Sequence, residues 1–413
     1  MHQKTFLIIF FMLCSLLRPA WAQDYTIVIK GGHLIDPKNN INEVMDVAIQ
    51  DDKIVLVAKN IDAKQARVID AKGLYVTPGF IDIHSHNFHG TKEDHYLGDG
   101  LEALPPDGFT FRSGVTTVVD AGGAGWKTFS TFKEQTIDHS KTRVLSFLNI
   151  VGEGMRGGAY EQNMSDMDAK MTAMVVGQHK EEIVGIKVAH YSGPEWDPVD
   201  RAVAAGKIAN VPVMVDFGGT TPPLSIQDLF MKHLRPGDIF THTFAQLESR
   251  IAIVDGQGKL RPYVTEAQKR GIVFDVGHGG GSFRFSQAIP ALKSGFIPNT
   301  ISTDYHTGSM NGGMKDQSNV MSKFLNMGMS IQQVAAASTW IPAQVIHRED
   351  LGHLSAGAGA DVAIFGIRKG KFGFVDSSGF KMDGDQKLEC ELTIRDGKVV
   401  YDLSGISSPY WDK

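Results

Sequence analysis

The run Pro78-Gly79-Phe80-Ile81-Asp82-Ile83-His84-Ser85-His86 leads an apolar stretch into two imidazoles two positions apart. Residues two apart on a strand share a face, so Asp82, His84 and His86 point the same way. Two imidazoles side by side at the carboxyl end of a strand make half a divalent-metal site. Alone, the pair fits a polar turn as well. Four more ionisable residues end apolar runs. They are Lys187 after Ile183-Val184-Gly185-Ile186, Asp216 after Val211-Pro212-Val213-Met214-Val215, His242 after Asp238-Ile239-Phe240-Thr241, and Asp304 after Ile301-Ser302-Thr303. A buried, unpaired ion is costly, so four such endings argue for one shared site over four separate rim salt bridges.

Loops add candidates for substrate binding. His278, Gly279 and Gly280 lie in Gly277-His278-Gly279-Gly280-Gly281-Ser282. Glycines let the backbone approach a ligand, and their N–H groups suit a developing oxyanion. The alternative is a flexible loop with an incidental histidine. Arg156, in Gly154-Met155-Arg156-Gly157-Gly158, and Arg284 suit a substrate carboxylate bidentately, or serve as surface charges. His190 and His306 lie near enough to strand ends to substitute as ligands, but read better as surface or supporting groups. Trp126 and Trp196 read as packing more than as pocket walls, and the methionines between 310 and 329 as helix packing.

These residues need a scaffold that brings strand ends together. Apolar strand candidates recur at 79–84, 115–121, 143–150, 183–189, 211–217, 238–242, 272–276 and 300–304. Helical stretches separate most of them, among them 167–179, 198–210, 224–233 and 263–270, and two more, 317–326 and 331–347, follow the last. That alternation is the pattern of a closed (β/α)8 TIM-type barrel, in which strand ends converge on one face. An open doubly wound sheet is the alternative, although no glycine-rich dinucleotide fingerprint follows the first strand. Short β texture at 25–30, 44–50, 53–58 and 67–70 returns at 361–365 and 392–400, with Gly31-Gly32, Asp51-Asp52 and Asp396-Gly397 as turn signals. Both chain ends therefore build one small β-sandwich. The expected layout is 23–76 and 351–413 in the sandwich and 77–350 in the barrel.

The 413 residues carry a formal charge of −5, with 42% hydrophobic and 21% charged side chains. That is ordinary for a globular protein and excludes a disordered chain or a multi-span membrane protein. No basic block stands out, so a nucleic-acid partner is not expected. Residues 1–22 read as a signal peptide: Lys4, an apolar run over 6–17, then Ala20-Trp21-Ala22 before Gln23. The run is too short to span a bilayer. The expectation is export to the periplasm or medium, cleavage after Ala22 and no membrane span thereafter. Loss of Lys4 and Arg18 takes the charge from −5 to −7, and loss of Cys14 leaves Cys390 with no partner for an internal disulfide.

On these residues the chain resembles the amidohydrolase superfamily of metal-dependent hydrolases, and within it the dihydroorotase-like deacetylase branch. The resemblance rests on the 78–86 run, Gly-Ile-Lys at 185–187 and Thr-His-Thr-Phe at 241–244. It extends to Asp-Val-Gly-His-Gly-Gly-Gly-Ser-Phe at 275–283, Ser-Thr-Asp-Tyr-His-Thr-Gly-Ser-Met at 302–310, and the tail Gly352-His353-Leu354, Gly357 and Ala360-Asp361. It implies one or two divalent ions per chain, usually zinc. His84, His86 and Asp304 would hold the first; Lys187, carboxylated by carbon dioxide, would bridge both; a strand-five residue and His242 would hold the second. A carbamate is an anionic ligand, whereas an ammonium repels a cation. The family places a histidine on strand five, where this chain has Asp216. A carboxylate there shifts preference toward manganese or iron, or leaves one metal with Asp216 as a supporting acceptor.

The resemblance implies hydrolysis of a small-molecule acyl-amide, cyclic amide or ester, with deacylation of N-acyl amino acids or related acids as the favoured class. Asp304 would carry the proton from water to the leaving group. A non-catalytic binding protein on the same fold and a metal-dependent isomerase or lyase are the alternatives. Homo-oligomerisation is left open.

Overall fold

The computed structural model describes residues 25–90, 102–216, 220 and 223–412. Residues 1–22, expected as a signal peptide, lie outside the described residues. Among the described residues no helix is long and apolar enough to cross a membrane.

The strands fall into two sheets. β1 (Ile27–Asp36), β2 (Ile41–Gln50), β3 (Lys53–Ala58), β4 (Arg67–Asp70) and β5 (Tyr75–Pro78) come first. They share an eight-stranded sheet with β13 (Val362–Val375), β14 (Lys381–Arg395) and β15 (Lys398–Asp402), in the order β15-β14-β13-β5-β1-β2-β3, with β4 beside β1. The two chain ends thus meet, and the antiparallel pairing of β5 with β13 is the seam. Asp396 and Gly397, at φ 55° and 72°, make the β14–β15 turn. Gly31-Gly32 is not the expected turn. β1 runs through it with a register shift between Ile29 and Gly32. The β13–β14 hairpin also reaches much further than 361–365 and 392–400. Its outer half mixes Arg368, Lys369, Lys371, Asp383 and three glycines with Phe372, Phe374 and Met382, and only Phe374 there is buried, so the apolar signal is broken up.

β6 (Phe80–Ser85), β7 (Val115–Gly125), β8 (Arg143–Asn149), β9 (Ile183–Val188), β10 (Val213–Val215), β11 (Ile239–Phe240) and β12 (Val273–Phe274) form a parallel, curled seven-stranded sheet in sequential order. Both faces are covered, so almost every strand residue is buried and the strands read as continuous apolar runs. One face packs on the helices that follow the strands, such as Ala169–Gln178, Asp197–Ala209 and Pro262–Arg270. The other encloses Ile81, Val119, Leu145, Phe147, Val184, Met214 and Ile239, with Ala343, Ile346 and Leu351 closing that core.

Residues 300–304, expected as an eighth strand, form only isolated bridges. Thr300 pairs with Asp275 beyond β12, and Tyr305 pairs with Ser85 of β6. The segment therefore touches both edges of the parallel sheet. The expected helix 331–347 is broken into Ile331–Ala336 and Trp340–Val345. Pro342 cannot accept a neighbour at the carbonyl of Ser338, four residues back. The freed carbonyl accepts the N–H of Ile81 at 2.8 Å, and that of Ala337 accepts Ile301 at 2.9 Å. The break thus anchors the chain entering β6 and the 300–305 segment.

Candidate active site

The strand ends bring five of the predicted side chains together. His84 lies in β6, His86 just after it, Lys187 in β9, Asp216 directly after β10, and His242 two residues beyond β11. Asp304 comes from the 300–305 segment. His84, His242 and Asp304 each offer a ligand atom within 4.8 Å of the others. His86 Nε2 stands 2.8 Å from Asp304 Oδ1, and His84 Nε2 stands 3.4 Å from the same oxygen. Lys187 is fully buried, with Nζ 3.2 Å from His84 Nε2. A cavity of about 490 Å³ opens above, bordered by His86, Asp216, His242, Asp304 and Gly280.

Hydrogen bonds fix the imidazoles. Thr241 donates to Asp275 Oδ2 at 2.8 Å, so its oxygen accepts from His84 Nδ1 at 2.9 Å. Asp275 is fully buried and also accepts from Thr300 and Ser302; against its burial, His84 first and then these hydroxyls hold its carboxyl below the usual range. The His84 ring is consequently protonated on Nδ1, and its Nε2 lone pair faces Asp304. Burial first, then the neighbouring Lys187, push the His84 pKa down to about 3. His242 repeats the arrangement: Nδ1 donates to the Gly277 carbonyl at 2.6 Å, and Nε2 faces Asp216 Oδ2 at 3.2 Å.

Two carboxylates complete the cluster. Burial alone would raise the Asp304 carboxyl, but the surrounding His84, His86 and His242 outweigh it and hold Asp304 well below the usual range. Asp216 is likewise held low, against its burial, by His242, Lys187 and His190. Asp82, expected beside His84, accepts from the Thr303 and His84 backbone N–H groups at 3.1 Å each. Burial pushes it up to about 7. It braces the segment carrying Asp304 and does not border the cavity.

Two glycines make room. A Cβ on Gly122 would lie 2.6 Å from Lys187 Cγ, and one on Gly279 would lie 2.3 Å from Asp304 Oδ2. Both glycines have positive φ, 91° and 57°.

Other predicted residues sit elsewhere. His278 is buried and turned from the cavity. Its ring stacks on Phe283 at 4.3 Å, and its Nε2 accepts from Lys323 Nζ at 2.6 Å. The apolar Phe283 and the need to satisfy a buried lysine draw it inward, so only Gly280 of the predicted loop trio lines the cavity. Gly279 instead packs against Asp304. Arg156 pairs with Glu153 at 2.9 Å and lies over Tyr160, away from the cavity. Arg284 borders a different cavity, with Phe285 and Phe380. Trp126 donates to the Asp166 carbonyl, and Trp196 stacks on His233.

The cavity's cation is Arg250, which sequence reading missed because nothing around Leu247-Glu248-Ser249-Arg250 marks a site. It is 5% exposed, donates to the Thr241 carbonyl at 2.6 Å, lies over Phe240 and reaches Asp216 at 3.6 Å. Glu161 was missed too. It is 2% exposed and accepts from His190 Nδ1 at 2.8 Å. His190 and His306 both border the cavity, Nε2 toward Asp216 at 3.6 Å and toward Asp304 at 3.9 Å respectively.

Comparison with known proteins follows this geometry. A family model described as the amidohydrolase family matches residues 246–401. A deacetylase of Brucella anthropi is 34% identical over 338 residues, 80% of this chain and 81% of that protein. The crystal structure of an adenine deaminase superposes with a TM-score of 0.82 at 28% identity, covering 92% of this chain and 100% of the other. That of a dihydroorotase gives a TM-score of 0.80 at 28% identity, covering 91% and 99%.

Proposed function

The chain belongs to the amidohydrolase superfamily, and from that premise we propose an exported hydrolase that deacylates N-acyl amino acids or related acids. The scissile bond is an amide, a cyclic amide or an ester. The observation that carries this reading is the convergence of His84, His242 and Asp304, whose ligand atoms lie within 4.8 Å of one another. His86 Nε2 stands 2.8 Å from Asp304, and Asp216 stands 3.2 Å from His242 Nε2. Imidazole nitrogens and carboxylate oxygens gathered this closely are the donor set of a divalent ion.

His84, His86 and Asp304 would hold the first ion. Asp216 and His242 would hold the second, with Lys187 between the two as its carbamate. Zinc is the favoured metal, with manganese or iron admitted by Asp216. When bound, such an ion polarises the scissile carbonyl and lowers the pKa of water from 15.7 to about 7. Asp304 accepts the proton of the attacking water at Oδ2 and returns it to the leaving nitrogen or oxygen. Gly280 lets the backbone approach the carbonyl oxygen. Arg250 gives the cavity a cation suited to an acidic substrate. The fold reading is a closed (β/α)8 barrel with a small sandwich, supported by the bridges of residues 300–305 to both sheet edges. Export rests on the leader's composition.

The test combines metal analysis of the purified chain with a hydrolysis screen over N-acyl amino acids, cyclic imides and acyl esters. Metal together with deacylation is expected. A metal-free chain that hydrolyses none of them overturns the reading in favour of a binding protein. Mass analysis of the exported protein should find Gln23 at its N-terminus.

A further inference from the structure

We propose that His190 is a ligand of the second metal position, supplying the imidazole that strand five lacks because it carries Asp216. The inference rests on the metal-dependent reading above.

His190 repeats His242 point by point. Each residue sits two positions beyond the last residue of its strand, β9 and β11. Each has the left-handed backbone, φ 55° for His190 and 54° for His242, and Asp304 shares it at 54°. That conformation is strained for a non-glycine residue and persists where the surroundings impose it, often at functional sites. Each ring has Nδ1 tied to an acceptor: the Gly277 carbonyl for His242 at 2.6 Å, and Glu161 for His190 at 2.8 Å. Each then presents Nε2 to the same atom, Asp216 Oδ2, at 3.2 Å and 3.6 Å.

Glu161 strengthens the case. It is 2% exposed, and its second oxygen accepts from the Gly157 N–H at 2.8 Å, so its position is fixed. A buried carboxylate on the far nitrogen of a histidine is the usual support of a metal-bound imidazole. His306, on the opposite wall, lacks these features. Its backbone is extended at φ −154°, Glu102 beside it is half exposed, and their contact lacks hydrogen-bond geometry. His306 is therefore the control.

The experiment uses the processed chain, stripped with a chelator and titrated with Zn²⁺ and separately with Co²⁺. Bound metal is counted by elemental analysis after dialysis, and the visible Co²⁺ spectrum reports the ligand set. The wild type should take two equivalents. His190→Gln should keep the tighter one and weaken the other by at least 10-fold, with a changed Co²⁺ spectrum. Glu161→Gln should weaken the same equivalent by about 10–100-fold. His306→Gln should match the wild type. A His190→Gln chain with wild-type stoichiometry, affinity and spectrum overturns the inference while leaving the metal reading intact. A wild type that binds neither metal overturns the metal reading itself.

Discussion

The two walls of the cavity hold similar side chains in different surroundings. On one wall, His84, His86 and Asp304 are nearly buried and braced from behind. Asp275 holds Thr241 and so His84, Asp82 holds Thr303, and Gly279 packs on Asp304. On the other, Asp216 meets four basic groups at once, His190, His242, Arg250 and the buried Lys187, and His190 is half exposed. The first wall is held rigidly from several sides. The second has more positive partners and more solvent, so a metal proposed there would depend on how those partners share one carboxylate.

The largest expected effect is on the braced wall. Asp304→Asn should fold normally yet lose at least about 10²–10⁴-fold in turnover, since it removes the proton carrier as well as a ligand. Near-wild-type turnover with metal retained would move the catalytic role to the other wall.

Next is Lys187, which stands between the walls. Lys187→Ala should lose bound metal and hydrolysis together, with partial rescue by short carboxylic acids that restore an anionic oxygen. Full metal occupancy in this variant, read by elemental analysis, would show that the two walls act without a bridge.

A smaller change is expected on the open wall. Asp216→His should keep two metal equivalents and shift preference from manganese or iron toward zinc, by roughly 10-fold in relative affinity. One equivalent in both proteins, under saturation with zinc and with manganese, would reduce Asp216 to a supporting acceptor.

The last effect is on stability rather than activity, behind the braced wall. Burial pushes the Lys323 ammonium down to about 7 from its usual 10.5. Between those values the unfolded chain holds a proton that the folded chain does not, so this group makes stability rise with pH, and below pH 7 its cost is fully present. The slope is at most about 1.4 kcal/mol per pH unit. Lys323→Met should flatten the urea-unfolding stability between pH 7 and 10 by up to that amount. Parallel curves for the two proteins would place the lysine in solvent.

Much of the site was legible because strand geometry is local. Apolar runs ending in His84, Lys187, Asp216, His242 and Asp304 identify themselves, since few folds leave an ion at the end of a buried strand. The alternation of strands and helices, and the β texture at both ends, were legible for the same reason: period and turn chemistry are written in neighbouring residues. His278 was misplaced because its partners, Phe283 and Lys323, are chosen by packing across a loop and a helix. Arg250 and Glu161 carried no local pattern.

The sequence by itself therefore determined which strand ends bear ionisable groups and that a carboxylate, Asp216, ends the strand-five run. Only the tertiary structure decided how those groups share atoms. It set Asp216 against His190, His242 and Arg250, tied the far nitrogens of His84, His190 and His242 to acceptors, and turned His278 into the core. Spacing along a chain fixes the face on which a side chain starts. Long side chains with several rotamers then settle according to the donors, acceptors and apolar surfaces that distant segments bring to them.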